Sequence, residues 1–376
     1  MWADFHCHTR DGKQSHKDTV KHFLEVAYAG GGIAVGAMSN PDPPLLTLGG
    51  CRDYLALAKD AAVPVQFYVH IGLTADMEQV KRAVDAYRKE PGICGKKIFL
   101  GRSTGGLSVV REDDQYAVLE TLARQGYDGV LVAHCEKESE MNDTAYNPKK
   151  PQTWSTKCRP ERAEIKSFGD LISAASSVKF QGTIHVAHVS TVEVVEYIYA
   201  HRNTGRLKLS CGITPHHAFL SNEYMRGREG AWYKCNPPLR SPRTQERLLE
   251  LLLQGHIPII ESDHAPHAGE DKIGKCFTSK KHGKAKQQQL LPASGIASGT
   301  IWPYLYKALL NQGMSRENVH AVMRDNVIAL YGLDERIPAR DRWRQVNWDA
   351  LEKLRADYPH DSFRKLFDKG VFEPGW

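Results

Sequence analysis

Two histidines separated by one residue, His6 and His8 in Asp4-Phe5-His6-Cys7-His8-Thr9-Arg10, stand at the end of the first apolar run of the chain. Residues i and i+2 of a strand share a face, so both imidazoles can reach one metal ion. A lone His-x-His is weak evidence. The signal strengthens because β-branched apolar runs ending in a potential ligand recur at Gly129–His134, Thr183–His188 and Ile257–Asp263. His6, His8, His134, His188 and Asp263 form a set of imidazoles and a carboxylate that suits borderline-soft divalent ions such as zinc. Five ligands exceed the needs of one tetrahedral zinc, and a two-ion site needs a bridge. The fourth strand, Gly95-Lys96-Lys97-Ile98-Phe99-Leu100, offers no Asp, Glu or His. A lysine facing a barrel mouth is costly unless paired, but a desolvated neutral lysine can take up carbon dioxide to give a carbamate, which is a bridging carboxylate. Lys96 and Lys97 are both open to this, and the plainer alternative for either is a solvated strand end.

The elements that position these residues alternate along the chain. Strand-like runs are expected at Trp2–His6, Ile33–Met38, Val65–Ile71, Lys96–Leu100, Val130–His134, Thr183–His188, Leu207–Cys211 and Pro258–Asp263. Segments with 3.6-residue apolar spacing lie between them, among them Thr19–Ala29, Met77–Arg88, Tyr116–Arg124, Val192–His201 and Thr244–Leu253. This alternation predicts an α/β protein, a (β/α)8 TIM barrel. A doubly wound open sheet alternates in the same way. However, no Gly-x-Gly-x-x-Gly follows the first strand, and only a closed barrel gathers ligands from the first, fourth, fifth, sixth and eighth strands at one mouth. Long loops are expected at Gly101–Val110, Glu136–Arg162 and Gly269–Gln289. The last carries Lys272, Lys275, Lys280, Lys281, Lys284 and Lys286, and without interleaved aromatics it reads as a solvated loop, not a nucleic-acid surface. Helices at Ser294–Asn311 and Arg316–Tyr331 would complete a barrel domain over residues 1–333. Residues 334–376 form an extension packing on the barrel or on a partner.

Composition agrees with one large core. The 376 residues are 41% hydrophobic, and 50 Lys and Arg against 44 Asp and Glu leave a formal charge of +6, too mild to imply nucleic acid. No run approaches the roughly 18 apolar residues of a membrane helix, and no signal segment opens the chain. The eight cysteines contain no C-x-x-C pair, so free thiols and a cytoplasmic location are expected. Cys7 and Cys135 adjoin ligand candidates but should face away from them.

As a set, Asp4-Phe5-His6-Cys7-His8-Thr9-Arg10-Asp11-Gly12, Met38-Ser39-Asn40-Pro41, Lys97-Ile98-Phe99, His134, His188, Asn236-Pro237-Pro238-Leu239-Arg240 and Asp263-His264-Ala265-Pro266-His267 resemble dihydroorotases of the amidohydrolase superfamily. The resemblance runs from the first strand to about residue 267, with a looser match at Asp325–Leu333. It implies His6 and His8 on one ion, His134 and His188 on the other, Asp263 completing the first site, and carboxylated Lys97 as the bridge. Lys97 is favoured because, like the family's modified lysine, it precedes an apolar-aromatic pair. The sequence also mixes branches: Lys97 resembles the compact single-domain dihydroorotases, whereas Asn236–Arg240, Asp263–His267 and Arg159–Glu164 look more like the other branch. With five residues before His6, the flanking β-sandwich of hydantoinases is not expected at the N-terminus.

By this resemblance two divalent ions, zinc by expectation, activate a water and clamp the attacked carbonyl. Asp263 carries the proton to the leaving amide nitrogen. The implied reaction is the reversible interconversion of N-carbamoyl-L-aspartate and L-dihydroorotate in pyrimidine biosynthesis. Arg10, Asn40 and His267 match the family's carboxylate-binding positions, Asn236 would line the pyrimidine edge, and Thr104 lies where the family's mobile loop touches substrate. Gly105 and Gly106 depart from the bulkier residues possible there. A small-molecule substrate and a homodimer are expected, with neither nucleic acid nor membrane. Two rivals stand beside this reading: a hydantoinase- or allantoinase-type cyclic amidohydrolase, and a catalytically silent scaffold for a carbamoyltransferase. Arg10 and Asn40 oppose the first, since a neutral ring would leave the arginine unpaired. The full ligand set opposes the second.

Overall fold

A computed structural model describes residues 1–372 apart from 103–105, 203–206, 228, 275–290, 339–343, 359–362, 364–365 and 367–369. Eight strands, β1 (Trp2–Cys7), β2 (Gly32–Ala37), β3 (Gln66–Gly72), β4 (Ile93–Phe99), β5 (Val130–His134), β6 (Thr183–Val186), β7 (Lys208–Ile213) and β8 (Ile259–Ile260), pair in chain order. Every pairing is parallel. Closure falls just beyond the strands: Cys7 bridges His264, and the His8 amide donates to the His264 carbonyl at 2.7 Å. The result is the expected (β/α)8 barrel. Its strands read as near-continuous apolar runs because both faces are covered, the inner by barrel side chains and the outer by helices.

Most of the core lies between strands and helices. The helix Val20–Ala29 starts at Thr19, whose hydroxyl accepts from the His22 amide, and buries Val20, Phe23, Leu24 and Val26 against the sheet. Cys7 and Cys135 belong to this outer core, as their strand positions predicted. A smaller cluster of Ala3, Phe5, Ile33 and Tyr68 packs against Val327, Ile328 and Leu333, so the last helical segment covers the N-terminal end of the barrel. The opposite end is left for the site.

Most strand boundaries shift by one to three residues, and larger departures occur in the last strand and among the helices. β8 has two residues instead of six because Ser262 turns to donate its amide to Asp4 Oδ1 and Asp263 takes φ +43. Residues 294–301 are irregular, and the helix begins at Trp302 with Pro303 in its first turn. The stretch expected as one helix at Arg316–Tyr331 is broken by a π-turn at Ala321–Asp325. A helix at Leu48–Ala56 has no clear periodic signal, since Gly49 and Gly50 lower its propensity.

The extension after residue 333 packs along the barrel. Arg344 donates to the Gly32 and Pro64 carbonyls at 2.6 Å, the Asn347 amide to Ala29 at 2.8 Å, and the helix Trp348–Arg355 lies against Val20–Ala29. Tyr358 then reaches Asp18 and His264 beside the strand C-termini. No described helix is long and apolar enough to cross a membrane, and the seven described cysteines are free and buried. The basic segment begins as a short helix, Gly269–Ile273, and its remainder from 275 lies outside the described residues.

Candidate metal centre

Strand ends bring five of the six predicted ligands to one cavity, lined by His6, His8, Arg10, Asn40, Phe99, His134, His188, Asn236, Asp263, Ala265, Ser294 and Gly295, with Lys97 buried outside this lining. A register shift between Asp4 and Cys7 lets β1 turn His6 toward the mouth. Arg10, His188 and Asp263 all adopt positive φ (+63, +42 and +43), strained backbone of the kind that clusters at functional sites.

One group gathers around Asp263. Its Oδ1 lies 3.0 Å from His8 Nε2 and 3.5 Å from His6 Nε2, and ligand atoms of the three residues fall within 4.8 Å of one another. His8 Nδ1 donates to Asn40 Oδ1 at 2.6 Å, which leaves Nε2 with a lone pair facing a carboxylate oxygen. Two acceptors at that separation require a cation or proton between them. Burial lowers the His8 imidazole to about 4, so its neutral form is the resting one. Burial would raise Asp263, but its close contact with His8 and the charge of the nearby imidazoles hold it well below the usual carboxylate range.

The second group is His134 and His188. His134 Nε2 donates to Glu136 at 2.9 Å, so its Nδ1 presents a lone pair to His188 Nε2 at 3.0 Å. His188 Nδ1 is buried without a hydrogen-bond partner, and burial lowers both rings. Lone pairs facing inward, an ionised carboxylate and an orphaned nitrogen are the features of a metal donor set, so these residues fit two divalent ions.

The two lysines of β4 separate cleanly. Lys96 Nζ sits 3.4 Å from the Tyr127 ring centroid and 4.4 Å from that of Tyr87, an aromatic environment on the strand's outer face. Lys97 is on the opposite face, fully buried, with no hydrogen-bond partner for Nζ. Its amine is lowered to about 8 by burial, against the pull of Glu261 and Asp263. Neither Nζ has a hydrogen-bond partner and burial lowers both amines, so the face decides: Lys97 is near enough for its charge to act on His134, His188 and Asp263, which fits the carbamate chemistry, whereas Lys96 faces the tyrosines.

Among the proposed substrate contacts, Arg10 is 3% exposed and donates through Nε to the Pro266 carbonyl at 3.3 Å. Its Nη2 lies 3.3 Å from His267 Nε2. That nitrogen faces the Ser294 carbonyl at 3.1 Å, while His267 Nδ1 faces the Lys17 ammonium at 3.3 Å. An ammonium needs an acceptor, so Nδ1 carries the lone pair and Nε2 the proton. His267 is therefore no acceptor for Arg10, and it stands behind the cavity wall. Asn40 lines the cavity but commits Oδ1 to His8. Asn236 accepts from Trp154 Nε1 at 3.1 Å, leaving its NH2 for a ligand. Thr104 lies outside the described residues.

Sequence reasoning passed over two buried carboxylates. Glu261 lies 3.3 Å from His6 Nδ1 and 3.2 Å from His185 Nε2, and accepts from the His188 amide. Glu136 holds His134. Each sits two residues from a ligand candidate, Glu261 before Asp263 and Glu136 after His134, a spacing that could have flagged both. Gly212 makes room for the first, since a Cβ there would fall 2.6 Å from the Glu261 carboxyl carbon. A further group, His216, His217 and Cys235, also lies within 4.8 Å. His217 is committed to Thr214 and Pro237, and burial pushes the Cys235 thiol up to about 12, so this trio is not a ready ligand set.

Comparisons with known proteins bear on this geometry. The chain is 28% identical over 337 residues to a dihydroorotase of Halobacterium salinarum, covering 89% of this chain and 72% of that one. It is 31% identical over 270 residues to a dihydroorotase of Thermococcus kodakarensis, covering 72% and 56%. The chain is similar in sequence to dihydroorotases. No family model matches it. Among solved structures, L-hydantoinase from Arthrobacter aurescens superposes with a TM-score of 0.72 at 22% identity, covering 92% of this chain and 73% of that one. Dihydroorotase from Saccharomyces cerevisiae in complex with 5-fluoroorotic acid superposes with a TM-score of 0.67 at 19% identity, covering 88% and 84%. These structural likenesses establish the barrel type. The chain spans between 56% and 74% of the length of the curated sequences it matches.

Proposed function

We propose that the protein is a metal-dependent cyclic amide hydrolase that interconverts N-carbamoyl-L-aspartate and L-dihydroorotate. The observation that carries this reading is Arg10, a buried guanidinium on the wall of the cavity lined by His6, His8, His134, His188 and Asp263. The charges of Asp263, Asp18 and Asp271 act on that cation, but its close polar contacts are to the Pro266 carbonyl and the His267 ring, so a ring without a carboxylate would leave it desolvated with no carboxylate in direct contact. This favours the dihydroorotase reading over a hydantoinase-type one.

In this reading His6, His8 and Asp263 would hold one divalent ion and His134 and His188 the second, with Lys97, as its carbamate, the residue that would supply a carboxylate to both. When bound, the ions supply Lewis-acid polarisation of the amide carbonyl and activation of water. The chain's own residues do the rest. Asp263, ionised at rest, accepts a proton and delivers it to the ring nitrogen as the amide C–N bond breaks, and the same group runs in reverse for closure. Arg10 holds the substrate carboxylate through its planar fork. The Asn236 amide orients the ring edge, and Asn40 fixes His8 with Nε2 inward.

Steady-state rates of the Arg10→Met variant on dihydroorotate and on dihydrouracil, the same ring without the carboxylate, test this reading. Losing a desolvated charge pair costs about 2–5 kcal/mol, so the preference for dihydroorotate should fall at least tenfold. An equal proportional loss on both rings would remove Arg10 from the specificity site and favour the hydantoinase-type alternative.

A further inference from the structure

Glu136 is fully buried, and one of its oxygens, Oε2, takes two strong donors: His134 Nε2 at 2.9 Å and Arg159 Nη1 at 2.5 Å. Arg159 is itself 3% exposed and held from several sides. Its Nη2 donates to the Arg102 carbonyl at 2.9 Å, its Nε faces Asp143 at 3.5 Å, and its plane lies 4.9 Å from the Trp154 ring centroid. Arg240 donates to its backbone carbonyl at 2.6 Å. The guanidinium therefore has one position, and it balances a carboxylate charge that would otherwise be stranded in the interior.

The consequence falls on His134. A neutral imidazole carries one proton, and its location decides which nitrogen can ligate. With the Nε2 proton given to Glu136, Nδ1 is the lone-pair nitrogen and faces His188 Nε2 at 3.0 Å. With the proton on Nδ1, that same contact becomes an imidazole-to-imidazole hydrogen bond, and His134 is removed from the ligand set.

We propose that Glu136 and Arg159 are a positioning pair that locks His134 in the Nε2–H tautomer and so creates the second ion site. The pair also fastens the segment leaving β4, through the Arg102 carbonyl, to the carboxylate behind His134. This inference rests on the reading of His134 as a ligand, and the experiment separates the two.

Metal-free protein is titrated with Co²⁺ alone, followed by calorimetry and visible absorption, for the wild type, His134→Ala, Glu136→Gln, Arg159→Met and Arg159→Lys. The wild type should bind two ions per chain, and His134→Ala one. Glu136→Gln and Arg159→Met should keep both sites but weaken one ion by about 10- to 100-fold, leaving the other within threefold. Arg159→Lys, which keeps the charge, should recover part of the loss. Nitrogen-15 spectra of the metal-free protein should show His134 as the Nε2–H tautomer in the wild type and as a mixture in Glu136→Gln, a change that a purely structural role would not produce. If Arg159→Met does not fold, the nearly isosteric Glu136→Gln carries the test. Wild-type affinity for both ions in folded Glu136→Gln would overturn the pairing. Two ions retained in His134→Ala would overturn the ligand reading itself, and the pairing with it.

Discussion

Adjacent lysines on β4 have opposite fates because a strand alternates its faces. Neither ammonium nitrogen has a hydrogen-bond partner, but Lys96 is packed against two tyrosine rings, while Lys97, its amine lowered to about 8, is on the face where its charge acts on Asp263, His134 and His188. Replacing Lys97 with Ala should therefore abolish the two-ion site, and short carboxylic acids supplied in solution should partly restore it. Replacing Lys96 with Met should leave the metal content unchanged. Metal content per chain by atomic emission decides this, and the opposite pattern would move the bridge by one residue. At this scale His134, His188 and Asp263 were legible as ligand candidates because each ends an apolar β-branched run, and His6 and His8 because of their spacing. Glu136 and Glu261 were passed over although each stands two residues from a ligand candidate, because which imidazole each one meets becomes visible only once the strands are paired. Nor could spacing reveal that Asn40 spends its oxygen on His8, or that His267 is turned to Lys17 and Ser294.

Between elements, Asp18 ties three parts of the chain together. Its Oδ1 accepts from His22 at 2.7 Å and from the Thr19 amide at 2.8 Å at the start of the helix Val20–Ala29, and its Oδ2 accepts from His264 and from Tyr358 at 3.0 Å each. Burial alone would raise this carboxyl, but the hydrogen bonds and positive charge of His22 and His264 hold it at about 2. An unfolded aspartate titrates near 3.8. Between those values the unfolded chain binds the extra proton, so the contribution of Asp18, about 2 kcal/mol, is present above pH 4 and lost as the pH falls toward 2. Asp18→Asn should lower the thermal midpoint at neutral pH, and its deficit relative to the wild type should shrink on acidification through that window. Deficits equal at pH 6 and pH 3 would show that the carboxylate charge is not what stabilises the junction. The helix itself was readable from Thr19 and its apolar spacing. Its partners at residues 264 and 358 were not, because nothing local in a sequence marks a contact across hundreds of residues.

The whole molecule is a barrel whose mouth concentrates what the chain distributes. Ligand candidates from β1, β5 and the segments after β6 and β8 meet in one cavity, as a closed parallel sheet requires. That architecture was legible because eight buried strands leave eight apolar runs. The closing edge was not, because β8 is only two residues long and the barrel is completed by the bridge between Cys7 and His264. The path of the extension along Val20–Ala29 also follows from packing that its charged, aromatic composition does not specify. The cavity places an arginine opposite a carboxylate-and-imidazole centre, so the protein as a whole should choose an anionic cyclic amide. The most direct measurement is kcat/KM of the metal-loaded wild type on L-dihydroorotate and on dihydrouracil under one set of conditions. A preference for dihydroorotate of at least tenfold is predicted, and an equal rate or a preference for the neutral ring would contradict it.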